Sequence, residues 1–179
     1  TRKTIPMNAF ISTTSFISAT VDSCRGDSHR ARPGDPFEER FGSPLPRDLR
    51  TEAAGSSWSE FSATYAPQGG PLRLGGWSRR ALPGGYSTFE ATIAVGRSIT
   101  TATATAGGPV GAMTGMLHDL GYRLEILSFH RRDLGDRYAT FIRCEAGDHR
   151  IWAMGMAEDA TESALRAMIA GVNRLHAMD

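Results

Sequence analysis

Ser98-Ile99-Thr100-Thr101-Ala102-Thr103-Ala104-Thr105-Ala106, running on into Gly107-Gly108-Pro109-Val110-Gly111-Ala112-Met113, is the stretch that decides the fold. It alternates with a period of two, breaks at a pair of glycines, and then opens a helix with proline at the first position. The same order of features returns 52 positions later, where Ser98-Ile99-Thr100-Thr101 falls on Arg150-Ile151-Trp152-Ala153. Without a gap, Pro109-Val110-Gly111-Ala112-Met113 falls on Thr161-Glu162-Ser163-Ala164-Leu165, and Met116-Leu117 on Met168-Ile169. Each copy is a strand, a short turn and an amphipathic helix. Two such units cover each other's apolar faces about a pseudo-two-fold axis. Helix N-termini with free N–H groups then point into shared space, which suits a small anionic ligand better than a polymer.

Working outward, the bulk composition narrows the function. Twenty Lys and Arg stand against 19 Asp and Glu in 179 residues, with no basic block, which argues against nucleic acid or an anionic membrane as the main partner. No apolar stretch reaches the ~20 residues of a membrane span. The N-terminal Phe10-Ile11 and Phe16-Ile17 are interrupted by Ser12, Thr13, Thr14, Ser15 and Ser18, too polar for a secretory signal core. Cys24 and Cys144 make no disulfide framework and no CxxC pair, so two reduced thiols in a cytoplasmic protein are expected, without a zinc site. No nucleophile elbow or other catalytic constellation is present, and no cofactor motif.

The expected fold class is α+β: a small helical subdomain followed by two pseudo-symmetric β-rich/α modules. Residues 1–36 read as a strand-like segment (Phe10 to Val21) and a polar Gly/Pro/Arg linker (Asp22 to Pro36). Residues 37–80 read as short helices, with a Ser57/Glu60 capping box and an apolar stripe of Trp58, Phe61 and Tyr65. Leu72 and Leu74 read as a connector and Arg79 to Gly85 as a linker. Residues 86–179 hold the modules. Their strands are expected at Ser87 to Val95, Ser98 to Ala106, Arg123 to Phe129, Tyr138 to Cys144 and Ile151 to Met156, with a charged hairpin tip from His130 to Arg137. Ala102, Ala104 and Ala106 make a small face that a helix or a second subunit can approach closely. Gly121 stops the first helix, and Asp159 caps the last, with Glu162 at a capping-box position.

These residues resemble the regulatory, leucine-sensing domain of the α-isopropylmalate synthase family. The likeness runs from Gly108-Pro109-Val110 through Gly121-Tyr122 and Leu124 to Phe129. Its most specific part is the tail Ile151-Trp152-Ala153-Met154-Gly155-Met156, Ser163-Ala164-Leu165-Arg166-Ala167 and Val172-Asn173-Arg174. Phe41 to Glu52, Trp58, Phe61, Tyr65-Ala66-Pro67 and Pro71-Leu72 are similar to the accessory subdomains that precede that domain. The likeness covers roughly residues 37–176. The family's condensation chemistry resides in a TIM barrel with a metal held partly by a His-x-His pair. His29, His118, His130, His149 and His176 offer no such spacing and 179 residues no room for the barrel, so no synthase activity is expected of this chain itself.

What the resemblance implies is a homodimer joined through the β-modules, with an amino acid or short carboxylic acid bound at its interface. Carried over residue by residue, the site is lined by Gly108, Val110, Gly111, Ile126, Phe129 and Asp133. Ala106 stands where the family usually has glycine, and Asp133 where it has a small residue. Asp133 is expected either to meet a ligand ammonium or to bridge to Arg131 or Arg132. Burying a leucine-sized side chain contributes only ~1.5–3 kcal/mol, whereas micromolar binding needs about 8. The ligand's charged ends must supply the rest. Besides such a module, with a separate barrel-bearing synthase as a possible partner, two readings stay open. One is a small enzyme using Asp133, His130 and the arginines, and the other a purely structural dimerisation module.

Overall fold

The computed structural model describes residues 34–178. The strand-like segment at Phe10 to Val21 and Cys24 lie outside them. Three short helices come first: α1 (Pro36–Phe41), α2 (Arg47–Glu52) and α3 (Trp58–Tyr65). Then follow β1 (Leu72–Ala81), β2 (Ser87–Val95), β3 (Ser98–Ala106) and α4 (Pro109–Asp119). A second set closes the chain: β4 (Glu125–Asp133), β5 (Tyr138–Ala146), β6 (His149–Ala157) and α5 (Ala160–His176). Each set forms a three-stranded antiparallel sheet in sequence order, β1-β2-β3 and β4-β5-β6. The expected α+β class and the two β-rich/α modules are present.

The repeat, however, runs at 51 positions and not 52. Ser87–Val95 and Tyr138–Ala146, Ser98–Ala106 and His149–Ala157, and the starts of α4 and α5 are all offset by 51. The difference matters because a slip of one residue moves a strand side chain to the other face. At 51, Ala102 corresponds to Ala153, and Ala104 to Gly155, both on the face beneath the module's helix. A Cβ added to Gly115 would sit 4.0 Å from the Cβ of Ala104, and one on Gly155 would lie 2.2 Å from the backbone N of Ala167. Because α5 is buried on nearly every side, its apolar residues match those of α4 at either offset.

The central core gathers both modules. Phe89, Ala91 and Ile93 of β2, Met113, Met116 and Leu117 of α4, and Leu165, Met168 and Val172 of α5 are buried in one cluster. The alanine face of β3 lies under α4, and Met113 and Met116 are almost fully enclosed. Of the two partners that could approach this small face, the helix of the same chain covers it. On the far side of β6, Trp152 and Met154 face a second core made by Phe37, Leu49, Phe61 and Tyr65 of the N-terminal helices.

Three boundaries differ from the sequence reading. Asp35, placed in the linker expected over residues 22–36, is a buried cap whose carboxylate accepts hydrogen bonds from the backbone N–H groups of Phe37 and Glu38 at 3.0 Å and of Leu45 at 2.9 Å. Residues 72–81, read as connector and linker within the helical region, form β1. Its alternation was hidden by a bulge at Gly75-Gly76 between Leu74 and Trp77. The hairpin tip is shorter than expected, since His130 to Asp133 continue β4. Ser57 and Glu60 do form the capping box, whereas Glu162 accepts from Arg166 Nε at 2.9 Å and leaves capping to Asp159.

Buried amide chemistry fastens α5 to β1. Asn173 Oδ1 accepts from Leu72 N–H at 2.9 Å, and its Nδ2 donates to Leu72 O at 2.9 Å, both out of water. Asn173→Ala leaves both backbone groups without partners, a loss of about 2–4 kcal/mol in urea unfolding. Gly155→Ala drives a methyl into the backbone of α5 and costs more than the ~1–3 kcal/mol typical of overpacking. Gly115→Ala meets only ordinary contact and gains up to ~1 kcal/mol of helix propensity. Opposite signs for the two glycines in thermal melts check the crossing geometry.

Candidate ligand site

The residues expected to line a site fall into two groups. The first is the start of α4. Gly108 is its N-cap in extended conformation (φ −163°), with no side-chain cap, and Pro109 follows. Helix geometry leaves the N–H groups of Val110 and Gly111 without carbonyl partners. By contrast, Asp35, Ser57 and Asp159 cap α1, α3 and α5 with side-chain oxygens. Val110 is half-buried at the rim of the central core, while Gly111 is exposed and close to Ala106. A side chain at position 106 therefore narrows the approach to the helix start.

The second group lies on β4. Ile126 borders the same core as Val110, and Phe129 is 42% exposed. Asp133 ends the strand, where its Oδ1 accepts from Gly135 N–H at 2.9 Å in the hairpin turn. No salt bridge joins it to Arg131 or Arg132 among the described residues. Ile126 and Asp133 are seven positions apart on one strand, which at ~3.4 Å per residue is about 24 Å. One small ligand does not touch both from the same protomer. His130 lies against Trp152, ring centroids 5.9 Å apart, and does not join Asp133 in a cavity.

Elsewhere among the described residues, a groove of about 790 Å³ lies between α3, the Pro67-Gln68-Gly69 turn, the start of β1 and the β6–α5 unit. Trp58, Met154, Met156, Arg166 and Asn173 line it, and none of the candidate residues does. Sequence reading did not find it, because its walls come from four separate elements. A space of about 10 Å³ beside Trp77, Met113 and Leu165 is too small for any ligand.

Next to this groove lies a partly buried charge. Arg174 lies over the Tyr65 ring, 4.7 Å from its centroid, and donates to the carbonyl of Trp152. Tyr65 O–H donates to Glu52 Oε1 at 2.9 Å. Burial lowers the Arg174 pKa and raises that of the Tyr65 phenol, with the Glu52 carboxylate adding to the latter. Burial likewise pushes the Cys144 thiol from 9.0 up to about 12. Among the described residues, no group of three His, Cys, Asp or Glu side chains is placed to hold a metal, and no helix is long and apolar enough to cross a membrane.

With this geometry in place, comparison with known proteins decides the family. Residues 61–176 match the family model of the LeuA allosteric (dimerisation) domain. The chain belongs to this family. The match starts within α3 and takes in both β-rich/α modules. The chain is 28% identical over 127 residues to the 2-isopropylmalate synthase of Arthrobacter sp. (strain FB24), covering 65% of this chain and 22% of that protein. It is 24% identical over 174 residues to the 2-isopropylmalate synthase of Clavibacter sepedonicus, covering 95% and 27%. That of Thermobifida fusca is 26% identical over 121 residues, covering 65% and 21%. The chain thus spans about a quarter of the length of these relatives or less. It is a regulatory module of the LeuA type.

Tyr65 and Cys144 both keep their protons more tightly in this folded LeuA-type domain than in the unfolded chain, so unfolding at high pH releases protons. Their contribution is complete below the unfolded values and is lost as pH rises through about 9 and beyond. Stability in urea is expected to fall between pH 8 and pH 10, with Cys144 alone contributing on the order of 1 kcal/mol. At pH 8, the Cys144 thiol reacts with an aromatic disulfide reagent only at the rate of unfolding.

Proposed function

We propose that this LeuA-type domain is a homodimeric sensor that binds an α-amino acid or short carboxylic acid between subunits. The match across residues 61–176, spanning both modules of an allosteric dimerisation domain, is the observation that carries the reading. Two further features support it. The start of α4 offers amide N–H groups uncapped by any side chain, suited to a carboxylate. The candidate residues Gly108, Val110, Gly111, Ile126, Phe129 and Asp133 do not share a cavity within one protomer. A site between subunits resolves the strand-length conflict, with the Asp133 carboxylate supplied by the subunit opposite. The catalytic barrel on which such a sensor acts resides on another polypeptide or another part of the same protein.

In this reading the N–H groups after Gly108 hold the ligand carboxylate, Val110 and Ile126 meet its apolar side chain, and Asp133 meets its ammonium. The test is calorimetry with L-leucine and with its α-keto acid, which lacks the ammonium. Asp133→Asn keeps the acceptor for Gly135 N–H and removes only the charge. The substitution is expected to weaken leucine by roughly 10- to 150-fold, the equivalent of about 1.5–3 kcal/mol, and to leave the keto acid nearly unchanged. Equal losses for both ligands overturn the role of Asp133. Failure of the unmutated dimer to bind amino or keto acids favours a purely structural dimerisation module.

A further inference from the structure

The two sheets have four edges, and three of them are guarded. β1 is bulged at Gly75-Gly76 and carries Arg73, Arg79 and Arg80. β4 is bulged between Ile126 and Ser128 and ends in Arg131, Arg132 and Asp133. β6 has α3 packed against it, and its Trp152 carbonyl takes the Arg174 guanidinium. Bulges, charges and covering elements are the usual means by which proteins stop sheet edges from pairing with other chains. β3 has α4 packed on one face but, among the described residues, neither a bulge nor a charged side chain. From Ser98 to Ala106 it runs without bulge, proline or charge, in unbroken register with β2. It also carries Ile99, 76% exposed, the most exposed of the large apolar side chains among the described residues.

We propose that the β3 edge pairs antiparallel with the β3 edge of a second copy through Ser98–Ala102, joining two three-stranded sheets into one of six. The proposal rests on the homodimer reading above and identifies the surface it uses. The self-pairing is fixed by where α4 lies. Its close approaches to β3 are Gly111 over Ala106 and Gly115 over Ala104, so the helix occupies the C-terminal half of the strand. At 1.5 Å per helical residue against ~3.4 Å per strand residue, α4 ends near Ala102. Pairing centred on Thr100 therefore keeps the two α4 helices on opposite sides of the two-fold axis. A register centred on Ala102 brings their ends together.

Centred on Thr100, Ile99 lies opposite Thr101 of the partner subunit on the open face of the sheet, and Ser98 opposite Ala102 of the partner subunit. No charge faces a like charge, and β-branched cross-strand pairs of this kind favour pairing. The unpaired N–H and C=O groups of the edge are satisfied in the same step. The occupant is a second copy because the strand complements itself about its own two-fold axis.

The test uses the full chain and two charged variants, I99K/T101K and I99E/T101E. In the proposed register, position 99 of each subunit faces position 101 of the other, so each variant alone sets like charges opposite each other twice. Sedimentation at low micromolar concentration is expected to give twice 19.3 kDa for the unmodified protein and a monomer for each variant. A mixture of the two variants is expected to regain the dimer at low salt. If both variants stay dimeric, the edge assignment falls and the homodimer stands. If the unmodified protein is itself a monomer, both fall. Hydrogen exchange on the unmodified protein covers the case in which a variant does not fold. The β3 peptide is expected to be at least tenfold better protected at 50 µM than at 0.5 µM, and concentration-independent exchange there overturns the pairing.

Discussion

The structure depends on the closeness with which α5 lies on β6. At Gly155 the helix backbone stands where a side chain belongs: an added Cβ would be 2.3 Å from Ser163 O and 2.8 Å from the carbonyl carbon of Arg166. Helix and strand meet backbone to backbone, and the position of α5 follows. From there Asn173 reaches Leu72, and Arg174 reaches both Trp152 and the Tyr65 ring. One missing side chain thus aligns the helix that ties the first sheet, the second sheet and the N-terminal helices together. The corresponding crossing in the first module has its glycine on the helix, with Gly115 over Ala104. The same contact is achieved with the small residue on opposite sides, so the pseudo-symmetry is one of packing more than of sequence.

That exchange explains what the sequence could and could not reveal. Period-two alternation in Ser87–Val95 and Ser98–Ala106, and the helix signals at Pro109, Gly121 and Asp159, were legible because each is local. β1 was not, since a bulge at Gly75-Gly76 breaks the alternation and only its first residue, Leu72, is fully buried. The exact repeat offset was hidden by α5, where enclosure on nearly every side removes the polar stripe that fixes helical phase. Asp35 looked like linker, yet it closes a small network with Phe37, Glu38, Leu45 and Arg50. A single polar residue carries no periodicity, so its burial shows only in three dimensions.

The candidate site was legible as residue types and illegible as a place. Glycines before a proline-led helix start mark an anion-suited end wherever they occur, and α4 has one. Ile126 and Phe129 were read on one strand with Asp133 in the hairpin tip beyond it, whereas all three lie on β4, whose length forbids a single small ligand from spanning Ile126 and Asp133. Distance along an extended chain is the cheapest geometric check that a sequence allows, and here it separates Ile126 from Asp133 within one protomer. The groove beside Trp58 and Met154 shows the converse. Its walls are distant in sequence and follow from the placement of α5, which no local pattern encodes.

In the proposed reading, enclosure of the central core limits where regulation acts. Met113, Met116 and Leu117 are shut in by both modules, so α4 cannot move inward, and its rear is held by Leu165 and the β2 side chains. Its free side is the one with Gly111 and the uncapped N-terminus, beside the unguarded edge of β3. A ligand seated at that helix start and a second subunit paired through Ser98–Ala102 would lie at opposite ends of the same element. Coupling between ligand and assembly then needs no long path through the protein, because both bias the position of one short helix whose other faces are already packed. Differential contact of this kind is what any allosteric coupling energy must come from. In this fold, α4 is the element positioned to make it.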